Sequence, residues 1–245
     1  ERRDNETAVT KTYTPAARAV STRERVLLVI PELVGEPENS VSVISLRNLE
    51  DVGSLRGLAK GERIYSARLV RNVLFLVTFR FVDPLFAIDL SNPEEPEVLG
   101  YLKIPGFSEY LHPLYEDRLL GVGVEDGNLK LSLFDVSDPA EMVEVSKILI
   151  ECSWTPALSD HRAIAVDRDF NLVYIPISSF CAYPQIGGVA VVSYGRSSLS
   201  FIKLLEVDGA QRALYVDTEL YVVSQYRLVV YSLPELEYVT EIYLK

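Results

Sequence analysis

The stretch FAIDL at Phe86–Leu90 has counterparts throughout this chain of 245 residues. Each counterpart is a short apolar strand that ends at a small polar residue: SVISL (Ser42–Leu46), SLFDV (Ser132–Val136), AVVSY (Ala190–Tyr194) and VVYSL (Val229–Leu233). The spacings are 44, 46, 58 and 39 residues, counted between Ser45, Asp89, Asp135, Ser193 and Ser232. A period of about 40–50 residues with four short strands per unit is typical of β-propeller blades.

A second apolar strand precedes each of these segments, as in VLFLVTF from Val73 and LVYIPI from Leu172. Such runs of β-branched and aromatic residues are typical of strands that are buried on both faces. Because no segment shows a sustained helical apolar stripe, the sequence predicts an all-β fold. We predict a β-propeller of about five four-stranded antiparallel blades, either a closed ring or part of a larger propeller.

The repeat units can be bounded from the turn residues between strands, and together they predict a single domain over residues 1–245. The five units are about 17–58, 64–104, 108–150, 157–207 and 210–244. Asp126-Gly127 is a strong hairpin signal in the third unit. Asp89 and Asp135 each end a strand before a Ser-x-Pro turn, where a carboxylate accepts turn N–H groups. Their replacement by alanine is expected to cost roughly 1–3 kcal/mol.

Composition narrows the range of functions. The 35 acidic and 24 basic residues give a net charge of -11, so nucleic acids and anionic membranes are not expected partners. Only two histidines occur, which disfavours chemistry that needs several of them. No apolar window is long enough for a membrane-spanning helix. Scarce lysine, a single Met and a single Trp favour a heat-stable protein.

One dense region resembles a known family. The region reads GERIYSARLV, then LFLVTFRFVDPLFAIDLSNPEEPEVLGYLKIPGFSEYLHPL, then LKLSLFDVSDP, between Gly61 and Pro139. It is similar to the secreted β-propeller family of archaea and some bacteria, which is distantly related to WD-type repeats. The resemblance implies a propeller fold and an extracellular or cell-envelope location. It implies no catalytic residue.

Members of that family carry further blades on the N-terminal side of the matched region. The chain is therefore expected to be either the C-terminal part of a larger propeller or a compact five-bladed ring. Residues 1–16 include an alternating stretch, Val9–Thr14, that is expected to act as a strand and to close the ring on the last unit. The alternative is completion by another protein chain, which would be the remaining blades of a larger propeller or a cell-surface component.

Cys152 and Cys181 are the only cysteines. For a secreted protein we favour a disulfide between them, which would stabilise the fold by roughly 3–4 kcal/mol. Two unpaired thiols are the first alternative. A zinc site built with both histidines is the second, although the spacing of metal-binding motifs is missing.

Two further motifs contain residue types that are found in calcium sites and in hydrolytic active sites. Asp167, Asp169 and Asn171 place oxygen atoms as calcium loops do, but Leu172 and Ser178 replace the glycine and glutamate of such loops. A hairpin turn is the favoured interpretation, and calcium is the one cofactor considered. Ser159-Asp160-His161 contains the types of a hydrolytic triad, but neighbours on a strand point to opposite faces. No motif specifies a reaction.

We therefore predict a non-enzymatic propeller that mediates protein interaction or assembly outside the cell. The alternative is a cation-dependent ligand-binding or hydrolytic propeller with an acidic channel mouth. The candidate binding surface is two loops, around Arg80–Pro84 and Gly106–Pro113. Its residues are of the aromatic and basic types that dominate protein interfaces: Arg80, Phe81, Phe107, Tyr110 and His112. Ordinary packing of the propeller is the competing interpretation.

Overall fold

The computed structural model describes residues 10–11, 18–21, 25–32, 38–79, 83–181 and 186–244, with side chains for 39–78, 84–181 and 186–244. These residues form five antiparallel sheets and two short 3₁₀ helices. The predicted all-β class with repeated four-stranded antiparallel units is thereby confirmed. The first and fourth sheets each contain one additional short strand.

The strands follow one another along the chain within each sheet. The first sheet contains β1 (Thr10–Lys11), β2 (Arg18–Ser21), β3 (Arg25–Glu32), β4 (Glu38–Ser45) and β5 (Asp51–Leu58). The second contains β6 (Arg63–Val70), β7 (Val73–Phe79), β8 (Asp83–Asp89) and β9 (Glu97–Ile104). The third contains β10 (Phe107–Tyr115), β11 (Arg118–Glu125), β12 (Asn128–Asp135) and β13 (Val143–Ile150).

The last two sheets continue this pattern, with one interruption. The fourth sheet contains β14 (Ser153–Trp154), β15 (Ala165–Asp167), β16 (Leu172–Ser179), β17 (Gly187–Tyr194) and β18 (Leu199–Glu206). The fifth contains β19 (Ala210–Val216), β20 (Glu219–Ser224), β21 (Arg227–Ser232) and β22 (Tyr238–Tyr243). Both β14 and β15 pair with β16, so the first strand of the fourth sheet is in two pieces.

The chain packs as two compact units. One comprises residues 1–117 and 136–143, and the other comprises residues 118–135 and 144–245. The first and second sheets lie in the first unit, and the fourth and fifth sheets lie in the second. The single domain over 1–245 stays a prediction.

The N-terminal strand has its described partner in the first sheet. Thr10 and Lys11 pair antiparallel with Ala19 and Arg18 of β2, whereas the sequence predicted a partner in the last unit. Residues 1–9 and 12–17 lie outside the described part of the chain. Closure of a ring by this segment stays a prediction.

The middle strands are buried on both faces, as their sequences indicate. In β7, Leu74 and Leu76 join Val41 and Val43 of β4 in a core that the first and second sheets share. Phe75, between the two leucines, is also buried. The fourth and fifth sheets share an equivalent core, formed by residues such as Tyr174, Val189, Leu205, Leu220, Val222 and Val229. Burial of aliphatic side chains at about 25 cal/mol per Å² holds each pair of sheets together.

The predicted hairpin of the third sheet is confirmed. Asp126 and Gly127 form a two-residue loop between β11 and β12, with φ of 50° and 78°. Positive φ at both positions belongs to the type I′ turn, whose twist matches that of the paired strands. This turn fixes the register in which Glu125 faces Asn128.

A strand glycine in one sheet packs against a turn of the next sheet. A Cβ atom at Gly100 of β9 would lie 2.7 Å from the carbonyl oxygens of both Pro139 and Ala140. Gly53 of β5 has the same relation to the backbone of Pro93 and Glu94, one repeat earlier. Both turns belong to the Ser-x-Pro segments that follow Asp89 and Asp135. In β5 and β9 a glycine is therefore needed where the turn of the next sheet approaches.

Replacing Gly100 by alanine is expected to lower the free energy of unfolding by about 3 kcal/mol, because the added methyl group displaces a backbone turn. Urea denaturation gives this difference directly. Gly127→Ala is the matched control: nothing lies within 4 Å of its Cβ, so only the strain of positive φ remains. That strain costs about 1 kcal/mol. Equal losses in the two variants would contradict the packing argument.

In the described part of the chain, no helix has the length and apolar character that a membrane span requires.

Candidate functional site

The first strand of the fourth sheet is interrupted by an insert, residues 155–164. β14 pairs with Ser178 and Ser179 at one end of β16, and β15 pairs with Leu172–Tyr174 at the other. Between them the chain forms two one-turn 3₁₀ helices, Pro156–Leu158 and His161–Ala163. The insert accounts for much of the long spacing between the third and fourth repeats.

Side-chain caps and buried apolar residues hold the insert in place. The Thr155 hydroxyl oxygen accepts the N–H of Ala157 at 3.2 Å, and an Asp160 carboxylate oxygen accepts the N–H of Arg162 at 3.1 Å. Ala157 and Ala163 are buried beneath the turns. Asp160 is therefore the N-cap of the second 3₁₀ helix.

The interpretation of Ser159-Asp160-His161 as part of a strand is wrong. Ser159 and Asp160 link the two 3₁₀ helices, and His161 is the first residue of the second. The Ser159 hydroxyl donates to the carbonyl of Pro156 at 3.1 Å, and the Asp160 carboxylate is engaged by arginines. Pro156 and the threonine cap favour a turn here, which overrides the strand pattern of the repeat.

A disulfide lies beside the insert. Cys152 immediately precedes β14 and Cys181 closely follows β16, and their sulfur atoms are bonded, with the Cα atoms 5.6 Å apart. The N–H of Cys152 also donates to the side-chain oxygen of Asn128 at 3.0 Å. Because both sulfurs are in the bridge, a zinc site that uses these thiolates is excluded.

The insert forms one wall of a cleft of about 680 Å³, and the start of the fifth sheet forms the other. Trp154, Pro156, Asp160 and Ala163 line it from the side of the insert, and Ser178 of β16 adds a hydroxyl. The opposite wall consists of residues 209–212 with Leu214 and Val223. A volume of this size is within the range of protein ligand sites, about 300–1,000 Å³.

The charged groups of the cleft centre on Asp160. Its carboxylate accepts from Arg162 Nε at 3.0 Å and from Arg212 Nη2 at 3.1 Å. The hydrogen bond from Arg162 is the main reason that the pKa of Asp160 lies below its ordinary value. The same bond raises the pKa of Arg162. One carboxylate thus shares two permanent positive charges, which leaves a net charge of about +1 at this point.

The predicted binding residues lie only partly where the sequence placed them. Phe107–Tyr115 is the strand β10, so the prediction of a loop at Gly106–Pro113 is wrong. Gly106 and Pro113 suggested a loop, but burial of Leu111 and Leu114 favours the strand. Arg80 and Phe81 lie outside the described residues.

Two of these residues contact each other. The Tyr110 hydroxyl oxygen and His112 Nδ1 are 2.7 Å apart, and burial raises the pKa of Tyr110 although Arg68 opposes the shift. Phe107 instead stacks on Tyr65 of β6, with ring centroids 4.8 Å apart. The structure therefore brings Tyr110 and His112 together and gives Phe107 a different partner.

The calcium candidate is a hairpin turn. Asp167 is 1% exposed, and one of its carboxylate oxygens accepts the N–H groups of Asp169 and Phe170 at 2.9 and 3.1 Å. Its other oxygen accepts from the Tyr174 hydroxyl, whose pKa is raised by burial. Asn171 has a positive φ of 55° within the same turn. Among the described His, Cys, Asp and Glu side chains, no group of three or more is arranged to hold a metal.

Each of the two strand-ending aspartates makes polar contacts beside its turn. Asp89 accepts the N–H and the hydroxyl of Ser91 at 2.8 and 2.7 Å, which is an Asx-type turn. Asp135 pairs with Arg118 Nη2 at 2.7 Å. The hydroxyl and N–H of Ser91 lower the pKa of Asp89, in that order of effect.

Replacing Asp89 by alanine is expected to destabilise the fold by about 1 kcal/mol at neutral pH, because water replaces the lost acceptor on this exposed turn. The lowered pKa means that this contribution is complete above the unfolded pKa, about 4. It disappears as the pH falls through the folded pKa. Urea unfolding at neutral and acidic pH measures it. The exposed Asp208→Ala variant is the control, and a pH-independent difference would contradict the turn assignment.

Repeated antiparallel four-stranded sheets define the class of protein, a β-propeller. Residues 17–236 match the family described as "Beta propeller domain", and the chain belongs to this family. The resemblance that the sequence indicated is thereby confirmed.

Two archaeal relatives extend the comparison. An uncharacterized protein of Archaeoglobus fulgidus is 40% identical over 208 residues, which is 85% of this chain and 32% of the relative. An uncharacterized protein of Methanocaldococcus jannaschii is 45% identical over 130 residues, 53% of this chain and 21% of the relative. The matched part is thus a third or less of the length of each curated relative.

Trp154 and Arg212 were missed in the sequence, and Asp160 was considered there only as a residue of a hydrolytic triad. The long spacing of 58 residues before Ser193 and the nearby Pro156 are the signals from which an insert could have been predicted. Nothing local to Arg212 indicated a partner 52 residues away.

Proposed function

We propose that this chain is a non-enzymatic assembly module of the cell exterior that binds a further β-sheet through one face of its fifth sheet. The single observation that carries the proposal is an exposed apolar face. Leu214 and Val216 of β19 are 40% and 54% exposed, and Ile242 of β22 is 56% exposed. Such a patch on a folded protein marks an interaction surface.

The strand register assigns these side chains to one face. Arg212 pairs with Val223, Val223 with Leu228, and Leu228 with Ile242, so their side chains point to the same side. Leu214 and Val216 follow Arg212 at alternate positions on β19. We name Leu214, Val216, Val223, Leu228 and Ile242 the apolar face.

The opposite face of the fifth sheet is covered by a neighbouring sheet. Ala213, Leu220, Val222 and Val229 are at most 2% exposed, because they pack in the core shared with the fourth sheet. A propeller sheet is stabilised when neighbouring sheets cover both of its faces. The apolar face has the residue composition of a sheet surface that packs against a neighbouring sheet.

The partner proposed is a β-sheet of another propeller segment. The relatives are longer than the region they share with this chain, so they contain further polypeptide that can supply such a sheet. The partner is either that additional segment or a separate chain at the cell surface.

The disulfide supports the proposed location. Disulfides form and persist mainly in oxidising compartments. Labelling of intact producing cells with a membrane-impermeant biotin reagent is expected to modify the protein. Labelling only after lysis would contradict the location without affecting the proposed contact.

Native mass spectrometry of the tagged protein, purified gently from the cells that produce it, tests the assembly function. We expect a stoichiometric second chain or second copy, and we expect Ile242→Asp to remove it because a carboxylate must then be desolvated in the contact. Leu49→Asp, at a turn position that is 75% exposed, is the matched control and is expected to retain the partner. A lone monomer, or a partner that survives Ile242→Asp, would overturn the proposal and favour a ligand-binding propeller.

A further inference from the structure

The cleft beside the insert joins the apolar face. Leu214 and Val223 belong to the apolar face and also line the cleft. Across from them stands Trp154, whose side chain is 49% exposed and which pairs with Ser178 on β16. An exposed indole beside aliphatic side chains provides a large, rigid apolar contact, the kind that dominates binding energy at protein interfaces.

Positive charge lies next to this apolar wall. The side chain of Arg212 is 40% exposed and donates to Asp160 through Nη2 alone. A guanidinium carries five N–H donors, so Arg212 retains donors for another acceptor. Arg162, which holds the other oxygen of Asp160, is 70% exposed. A carboxylate that enters here meets Arg212 in the lining of the cleft, with Arg162 beside it, and Asp160 is the one acidic residue of that lining.

The local charge contrasts with the protein as a whole. The chain carries a net charge of -11, whereas the cleft lining contributes Asp160 and Arg212, and Arg162 adds a further positive charge beside them. A carboxylate ligand is therefore attracted at this place and repelled by most of the remaining surface. Such contrast gives positional specificity more than raw affinity.

We infer that the cleft binds an acidic peptide segment, with a carboxylate on Arg212 and Arg162 and an adjoining apolar side chain against Trp154 and Leu214. This inference rests on the proposed protein-binding function, because it names the chemistry of the partner segment beside the apolar face. The bidentate geometry of arginine and carboxylate orients the segment, and the indole supplies contact area. Ser178 adds a hydroxyl at the same wall.

Fluorescence anisotropy with a labelled hexapeptide of alternating leucine and glutamate tests the inference on the whole chain. We expect saturable binding that weakens several-fold as salt is raised, since the contact is partly exposed. The same peptide with glutamine in place of glutamate is expected to bind at least tenfold more weakly. Equal binding of the two peptides, or no saturable binding, would overturn the inference.

Two variants in the cleft and one control variant test where the acidic peptide binds. Arg212→Gln and Trp154→Ala are each expected to weaken binding of the acidic peptide about tenfold. Arg56→Gln removes an exposed arginine of the first sheet and is expected to change nothing. An effect of Arg56→Gln equal to that of Arg212→Gln would show nonspecific attraction and overturn the inference.

Asp160→Asn is expected to strengthen binding of the acidic peptide, whereas Arg212→Gln and Trp154→Ala weaken it. Asparagine is as good an N-cap as aspartate, so the 3₁₀ helix is retained while the competing negative charge is removed. We expect the acidic peptide to bind several-fold more tightly to this variant. Weaker or unchanged binding would contradict the assigned charges. Failure of peptide binding leaves the Ile242→Asp experiment unaffected, so the two proposals fail separately.

Discussion

Replacing Lys130 by alanine should lower the free energy of unfolding by about 3–5 kcal/mol, because it removes the buried cation that the carboxylates of Glu125 and Glu144 share. The side chain of Lys130 is 2% exposed, and its Nζ lies 2.9 Å from Glu125 and 3.1 Å from Glu144. These three residues sit on β11, β12 and β13 of the third sheet. Lys147 reaches the other oxygen of Glu125 at 2.6 Å.

Chemical denaturation at neutral pH measures this loss, and two further variants show its cause. Lys147→Ala removes a partner that is 37% exposed and is expected to cost about 1 kcal/mol. The combined variant Lys130→Met, Glu125→Gln and Glu144→Gln is expected to recover most of the stability, because no buried charge is then left unpaired. A loss below 1 kcal/mol in Lys130→Ala would mean that water reaches the carboxylates.

The cluster also predicts a dependence on acid. Burial opposes ionisation of Glu125, but hydrogen bonds from Lys147 and Lys130 outweigh it and leave its pKa below the ordinary value. Its contribution to stability is therefore complete above the unfolded pKa and is lost as the pH falls through the folded one. The neutral combined variant should lack this acid-dependent loss.

Reduction of the Cys152–Cys181 disulfide should destabilise the protein by about 3–4 kcal/mol in the chain-entropy account. The bridge closes a loop with a sequence separation of 29 residues, and that loop contains the entire insert. Differential scanning calorimetry with and without a strong reductant measures the change. The double variant Cys152→Ala and Cys181→Ala, which reductant cannot affect, is the control.

Loss of the disulfide should also affect the cleft, and this effect is measured separately from the loss of stability. The bridge holds the residue before β14 to the end of β16, so its loss should loosen Trp154 while leaving the core of the fifth sheet intact. We expect reduced binding of the acidic peptide at temperatures well below unfolding. A stability loss below 1 kcal/mol together with unchanged peptide binding would show that the insert is held by its caps alone.

Much of the fold could be predicted because it repeats. A polar residue at the end of an apolar strand recurs at Asp89 and Asp135, and each occurrence reinforces the interpretation of the others. The middle strands, such as β7, contain so many buried aliphatic side chains that their assignment did not depend on neighbours.

The elements that were missed depend on contacts distant in sequence. The sequence indicated a loop here because Gly106 precedes β10 and Pro113 lies within it, although the buried leucines of β10 are typical of a strand. The cleft depends on an ion pair between Asp160 and Arg212 and on an interrupted strand, which no local pattern encodes. Part of the interaction surface proposed from the sequence therefore fell on β10, whereas the apolar face lies on the fifth sheet.

The glycines at positions 53 and 100 constrain how such a protein can change during evolution. Each leaves space for a turn encoded by the following repeat, so the fitness of one repeat depends on the identity of its successor. A repeat with a Ser-x-Pro turn of this kind, if moved along the gene, is expected to fit only behind an outer strand that carries a glycine at the matching position. For these two pairs, substitutions in the turn and in the glycine of the preceding strand are therefore expected to occur together.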